Sequence, residues 1–136
     1  MSLRPHLLQW QYADYHAKHR QKLNLCLHIA SVPLAWGGTV AALAVLFGAS
    51  PWWLLALPVG WFAALAVQGV GHKLELEAPE PFLGSADFVS RFTVEQLVTF
   101  PRFVLSGGWW RNLSAYSGQP ARGTQPPAPL RRAAAH

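Results

Sequence analysis

Residues 23–72, between Lys22 and Lys73, contain no Asp, Glu, Lys or Arg. A helix rises about 1.5 Å per residue and a bilayer core is about 30 Å thick, so roughly 20 apolar residues cross it. The uncharged window therefore holds two spans joined by a tight turn. Gly48-Ala49-Ser50-Pro51 is that turn by composition, which ends the first span near Phe47 and starts the second at about residue 52. Trp52 and Trp53 follow at once, where amphipathic rings collect at the headgroup level. Pro33 should kink the first span by removing a backbone donor, and Pro58 with Gly60 should bend the second.

The flanks are more polar. Leu8, Tyr12, Tyr15 and His19 recur at i, i+4, i+7 and i+11, one stripe of a helix over about 5–22 that is too polar to span. Pro79 and Pro81 should terminate the second long helix. A third segment, about 86–106, opens at Ser85 or Asp87 and places Arg91, Glu95 and Arg102 on one face. That pattern is amphipathic or packed and leaves open whether the segment crosses the membrane. Trp109-Trp110-Arg111 reads as another interfacial anchor, and the Pro-rich stretch from Ser117 onward as a disordered tail. The expected fold is all-α: a small helical membrane bundle with a central transmembrane hairpin over residues 1–116, then the tail 117–136.

Composition sharpens this class. The 136 residues are 51% hydrophobic and only 12% charged, against about 25% charged in soluble domains. A net charge of +5 would suggest nucleic acid in a soluble protein. Here the basic residues flank apolar runs or lie in the tail, which fits membrane lipids as partners and no nucleic acid. With the uncharged turn on the far side, both termini face the cytoplasm. Residues 1–22 lack the apolar run and small-residue cleavage site of a secretory signal, so the cell inner membrane is the expected location. The single Cys26 excludes an internal disulfide and thiolate-rich zinc sites.

Two imidazoles, His28 and His72, lie within the uncharged window and must face partners inside the bundle. The plain reading is that each hydrogen-bonds a neighbouring helix. Gln68, His72 and Glu75 fall within about 40° as i, i+4 and i+7, whereas Glu77 sits roughly 140° from His72. Glu75 is thus the partner to expect, unless it pairs with Lys73 or Arg91 in solvent. In one unbroken helix His19 and His28 would point about 180° apart. A break at Asn24, acting as N-cap, would bring His19 over His28. His16 is about 60° from His19 and either substitutes for it or lies on the surface.

The pattern Tyr15-x3-His19-x4-Asn24-x3-His28-x3-Val32-Pro33, followed by Gln68-x2-Gly71-His72 and Glu75-x3-Pro79, resembles the Mpo1-like family over roughly residues 12–105. The chain departs from that pattern at Arg20-Gln21-Lys22-Leu23, where many members have Asn-Pro, and in placing Glu75 three residues after His72 rather than four. The resemblance implies a membrane Fe(II)-dependent dioxygenase that uses O2 to shorten 2-hydroxy fatty acids by one carbon. It implies His19, His28 and His72 as iron ligands, with His16 as a further ligand and Gln68 and Glu75 as catalytic residues. Glu95 either completes the shell or pairs with Arg91. The substrate carboxylate needs a cation, for which Lys22, Lys73, Arg91 and Arg102 are candidates. Two other readings stand beside it: a non-catalytic scaffold with structural histidines, and a haem protein with His28 and His72 as axial ligands.

Overall fold

The computed structural model describes residues 4–115. It is all-helical, with no strand among the described residues. Helix α1 (Leu7–Ala13) is short, α2 (Lys22–Ala44) continues as a 3-10 turn to Phe47, and Pro51–Leu55 leads into α3 (Ala56–Leu74). Helix α4 (Ser85–Val94) passes through a π-helical turn, Glu95–Thr99, into α5 (Phe100–Leu105), and α6 (Gly108–Ala115) follows.

The two long helices, Lys22–Phe47 and Pro51–Leu74, are long and apolar enough to cross a membrane, with mean hydropathies of 1.8 and 1.7. Only 28% and 22% of their apolar windows are buried, so most of each surface faces outward, unlike the core helix of a soluble protein. The hairpin turn contains Gly48 at φ 92°, a left-handed conformation that a side chain would strain. Helix α2 continues through Pro33 to Ala44.

Small residues let the pair close tightly. A Cβ on Gly38 would collide with the Ala56 carbonyl, and one on Gly60 with the Leu34 carbonyl. Backbone contact of this kind is how membrane helices associate where lipid removes the hydrophobic incentive. Trp61 Nε1 also donates to Thr39 Oγ1 at 2.9 Å across the same seam.

The third segment is helical from Ser85 to Leu105, but its four ionisable residues, Asp87, Arg91, Glu95 and Arg102, set it apart from the two candidate spans. Tyr15, Leu25, Val32, Phe100, Phe103 and Trp109 form the core beneath the histidines. Trp109 Nε1 donates to Leu25 O at 3.1 Å and ties α6 to the start of α2.

Two expectations about the N-terminal region change. Helix α1 ends at Ala13, and the Ala17 and Lys18 N–H groups both bond back to Asp14 O, so residues 14–18 form turns rather than a continuing stripe. The break before α2 falls at Gln21, which is extended (φ −73°, ψ 127°) and caps the helix, not at Asn24. Asn24 lies inside the first turn because its side-chain amide is drawn across to Glu75, at 2.7 Å. The tail 117–136 lies outside the described residues.

Candidate metal centre

Each element delivers one donor. The turns after α1 place His19 over the start of α2, where His28 projects inward; His72 comes from the last turn of α3, and Glu95 from the π turn. His19 and His28 are 1% and 0% exposed. One donor atom from each of the four residues lies within 4.8 Å of all the others. His19 Nε2 and His28 Nε2 are 3.4 Å apart. Glu95 Oε1 is 3.7 Å from His19 Nε2, 3.5 Å from His28 Nε2 and 3.9 Å from His72 Nε2.

The surrounding bonds fix what these atoms offer. His19 Nδ1 bonds Tyr15 O at 2.9 Å and His28 Nδ1 bonds Asn24 O at 3.1 Å. A carbonyl only accepts, so in each neutral ring the hydrogen sits on Nδ1 and Nε2 carries the lone pair. Two such lone pairs then face each other beside a carboxylate with no hydrogen to share, a donor set that a cation satisfies. Donors about 2.1 Å from a tetrahedral ion are about 3.4 Å apart, close to the spacings here.

Charge states agree with that role. Burial lowers the His19 pKa, outweighing the opposing pull of Glu95, so the ring is neutral. On acidification a proton is taken up on an imidazole Nε2 and faces Glu95, so although burial works to raise the Glu95 pKa, the adjacent His19 and His28 override it and hold the carboxyl well below the usual range. Tyr15 donates its hydroxyl to Glu95 Oε1 at 2.9 Å and stacks on His19 with ring centroids 3.9 Å apart. Burial first, then the Glu95 charge, pushes the Tyr15 phenol well up, so it remains a donor.

Not every expected residue joins the centre. His16 packs edge-on to Phe103 at 4.9 Å and stays outside the cluster, because the chain turns between it and His19. Glu75 also points elsewhere. Helix α3 ends at Leu74, so Glu75 is extended (ψ 146°) and the helical angle to His72 no longer applies. Its Oε1 instead accepts from Gln21 N–H at 2.9 Å and from Asn24 Nδ2 at 2.7 Å, latching α3 to the start of α2.

Gln68 is committed as well. Its Nε2 donates to Gln96 Oε1 at 3.0 Å and to Ser31 Oγ at 3.1 Å, while its Oε1 accepts from Gln96 Nε2 at 2.8 Å. That reciprocal amide pair clamps α3 to the π turn, and Gln68 also lines the cavity beside the cluster. His28, His72 and His19 have mutual ring-centroid distances of 4.7–5.0 Å, a trio that leaves no slot for a porphyrin between His28 and His72.

A cavity of about 230 Å3 adjoins the cluster and touches His19, His72 and Glu95. Its walls are largely apolar, with Leu65, Phe88 and Phe92 among them, and Lys18 and Arg91 bring positive charge. Lys73 and Arg102 do not line it: Lys73 is exposed, and the Arg102 guanidinium lies 3.9 Å over the Tyr12 ring. Lys18 and Gln11 are lining residues that sequence spacing did not single out. Glu95 was visible as a carboxylate on an otherwise apolar segment, which needs partners if buried.

Protein-family models, curated proteins and solved structures were compared with this chain, and none of them matches it.

Proposed function

We propose that this chain is a membrane-embedded, Fe(II)-dependent dioxygenase that shortens 2-hydroxy fatty acids by one carbon with O2. The observation that carries the reading is the convergence of His19, His28 and His72 with Glu95 beside a mostly apolar cavity. These are the three histidines that the Mpo1-like resemblance implies as ligands. Three imidazoles and one carboxylate suit a divalent first-row metal. Bound Fe(II) would supply open coordination positions for O2 and for the 2-hydroxy acid.

The chain's own residues have defined tasks. His19 and His28 present Nε2 because their Nδ1 hydrogens go to Tyr15 O and Asn24 O. Tyr15 holds Glu95 Oε1 by its hydroxyl. The apolar walls limit water around a reactive centre and accept an acyl chain from the bilayer. The overall change balances without an external reductant: R–CH(OH)–COOH and O2 give R–COOH, CO2 and H2O, the acid losing the four electrons that O2 gains. In this reading the hairpin sits in the cell inner membrane with both termini cytoplasmic.

Protein purified anaerobically in detergent is expected to take up one Fe(II) per chain, and with 2-hydroxypalmitate to consume O2 and yield a fatty acid one carbon shorter. His72→Ala should abolish both metal uptake and oxidation. Persistence of oxidation in a folded His72→Ala variant would refute the proposal and leave a scaffold with structural histidines.

A further inference from the structure

The cavity beside the cluster extends along α3 from His72 back to Gly69 and Leu65, about 10 Å of helix length. Besides histidine, Lys18 and Arg91 are the cationic side chains that line it, and they differ in how far the fold already uses them. Arg91 is committed. It is 9% exposed, its Nη1 donates to Glu80 O at 2.9 Å and lies 3.7 Å from buried Asp87, and the Phe82 and Trp10 rings cover its guanidinium at 4.4 and 4.9 Å. The Lys18 ammonium instead meets Asp14 Oδ2 at 3.5 Å, and the Asp14 side chain is 57% exposed. A long pair with a carboxylate in water contributes little, so Lys18 loses little by exchanging it for another anion.

The opposite feature lies on α3. Gly69 lines the cavity, is exposed, and a Cβ built on it would meet no atom within 4 Å. The glycine leaves a gap in a wall otherwise made of half-buried apolar side chains, Leu65 on the same helix and Phe88 and Phe92 on α4. Five residues separate Gly69 from the end of the candidate span Pro51–Leu74, which puts the gap about 7 Å inside that span. Lys18 lies outside both candidate spans. The cavity is therefore polarised: a loosely paired cation on the water side, apolar walls and an opening at the depth of lipid.

We propose that the cavity takes a fatty acid in a single orientation, with its carboxylate on Lys18 Nζ and its chain leaving through the gap at Gly69 into the bilayer. The assignment rests on the dioxygenase reading for the identity of the ligand, but it concerns binding, which precedes oxidation and needs no turnover. Charge complementarity selects this occupant: a neutral lipid offers nothing to Lys18, and a short soluble acid leaves Leu65, Phe88 and Phe92 uncovered. Lys18 immediately precedes His19 in the chain, so the end of the ligand held there is the carboxyl end, beside the cluster. Lys18 thus separates acids from neutral lipids and fixes which end of the chain meets the centre.

The test places a thiol in the gap, by Gly69→Cys in the metal-free full chain held in phosphatidylcholine nanodiscs, with the exposed Cys26 removed by Cys26→Ser. Palmitate should slow alkylation of the introduced thiol by N-ethylmaleimide, with half-protection at a concentration about tenfold or more below that of hexadecanol, the same chain without the charge. Adding Lys18→Met should erase the difference by weakening palmitate alone, and Lys18→Arg should restore it. A thiol introduced by Gly37→Cys, which also faces open space but lies away from the cavity, should ignore both lipids. Equal protection by palmitate and hexadecanol, indifference to Lys18→Met, or equal protection at position 37 would overturn the assignment. Should the protection pattern hold while the iron-loaded protein consumes no O2 with 2-hydroxypalmitate, the dioxygenase reading fails and the binding site stands. Oxidation of 2-hydroxypalmitate with KM unchanged by Lys18→Met would instead overturn the binding site and leave the dioxygenase reading in place.

Discussion

His19 and His28 bring their Nε2 atoms to 3.4 Å although one precedes α2 and the other lies inside it. The contact exists because the chain is extended at Gln21, which lets the preceding turns fold back over the helix. With both Nδ1 atoms bound to carbonyls, the pair faces inward as two lone-pair donors.

His28→Ala should therefore lower divalent-metal affinity by more than the 10- to 100-fold that loss of an outer-shell partner costs. Tyr15→Phe, which removes only the hydroxyl on Glu95 Oε1, should fall within that 10- to 100-fold range. Titration of metal-free protein with Co(II), followed by its visible absorption, distinguishes the two. Equal affinity in wild type and His28→Ala would remove His28 from the ligand set.

Acid should destabilise the metal-free fold from two directions that share one sign. Burial lowers the folded His19 pKa below its unfolded value of about 6.5, so the unfolded chain binds more protons and stability declines as pH drops through that value. For Glu95, whose folded pKa also lies well below normal, stability is complete above about pH 4.5 and disappears as pH falls through the folded value. Melting temperatures in detergent should be level above about pH 6.5 and fall steadily from there toward pH 4. A fold that became more stable on acidification would contradict both assignments.

The Gln68–Gln96 clamp predicts a strong dependence on pairing. Gln96→Leu leaves the buried Gln68 Oε1 without its donor and should cost about 1–3 kcal/mol. Replacing both residues by Leu should recover part of that loss, since neither amide is then stranded. A double-mutant cycle on unfolding free energies measures the coupling, and strict additivity would show that the two amides act independently.

At the helix seam, Gly60→Ala should destabilise the hairpin by about 1–3 kcal/mol, because its Cβ meets the Leu34 backbone, which has no flexible end to give way. Gly37→Ala, one position from Gly38 but facing open space, should have no such penalty. Unfolding of the two variants side by side in detergent tests the crossing point.

The hairpin was legible because uninterrupted apolar length admits few other folds, and its turn was marked by Gly48 and Pro51. The need for a chain break between His19 and His28 was legible too, from angular opposition alone. Its position was not, since Asn24 resembles a cap locally while its partner, Glu75, lies far along the chain. Glu75 was misplaced for a related reason: the helical angle to His72 assumes a helix that reaches residue 75, and α3 ends at Leu74. The prolines at 79 and 81 lie beyond that end rather than at it. A π turn leaves no distinctive residue spacing, so the sequence left Glu95 between completing the shell and pairing with Arg91, and only the turn decides that it faces the three imidazoles.

That turn has a geometric consequence for the third segment. Bonding i to i+5 inserts about one residue relative to α-helix, which rephases everything downstream by roughly 100°. Trp36 Nε1 secures the altered stretch by donating to Gln96 O at 2.9 Å. Upstream, Arg91 and Phe92 border the cavity; downstream, Phe100 and Phe103 enter the core under α2. One continuous rod thus presents its inward side at two different azimuths, and shortening it by a single residue at 95–99 would turn one of those halves outward, away from the core.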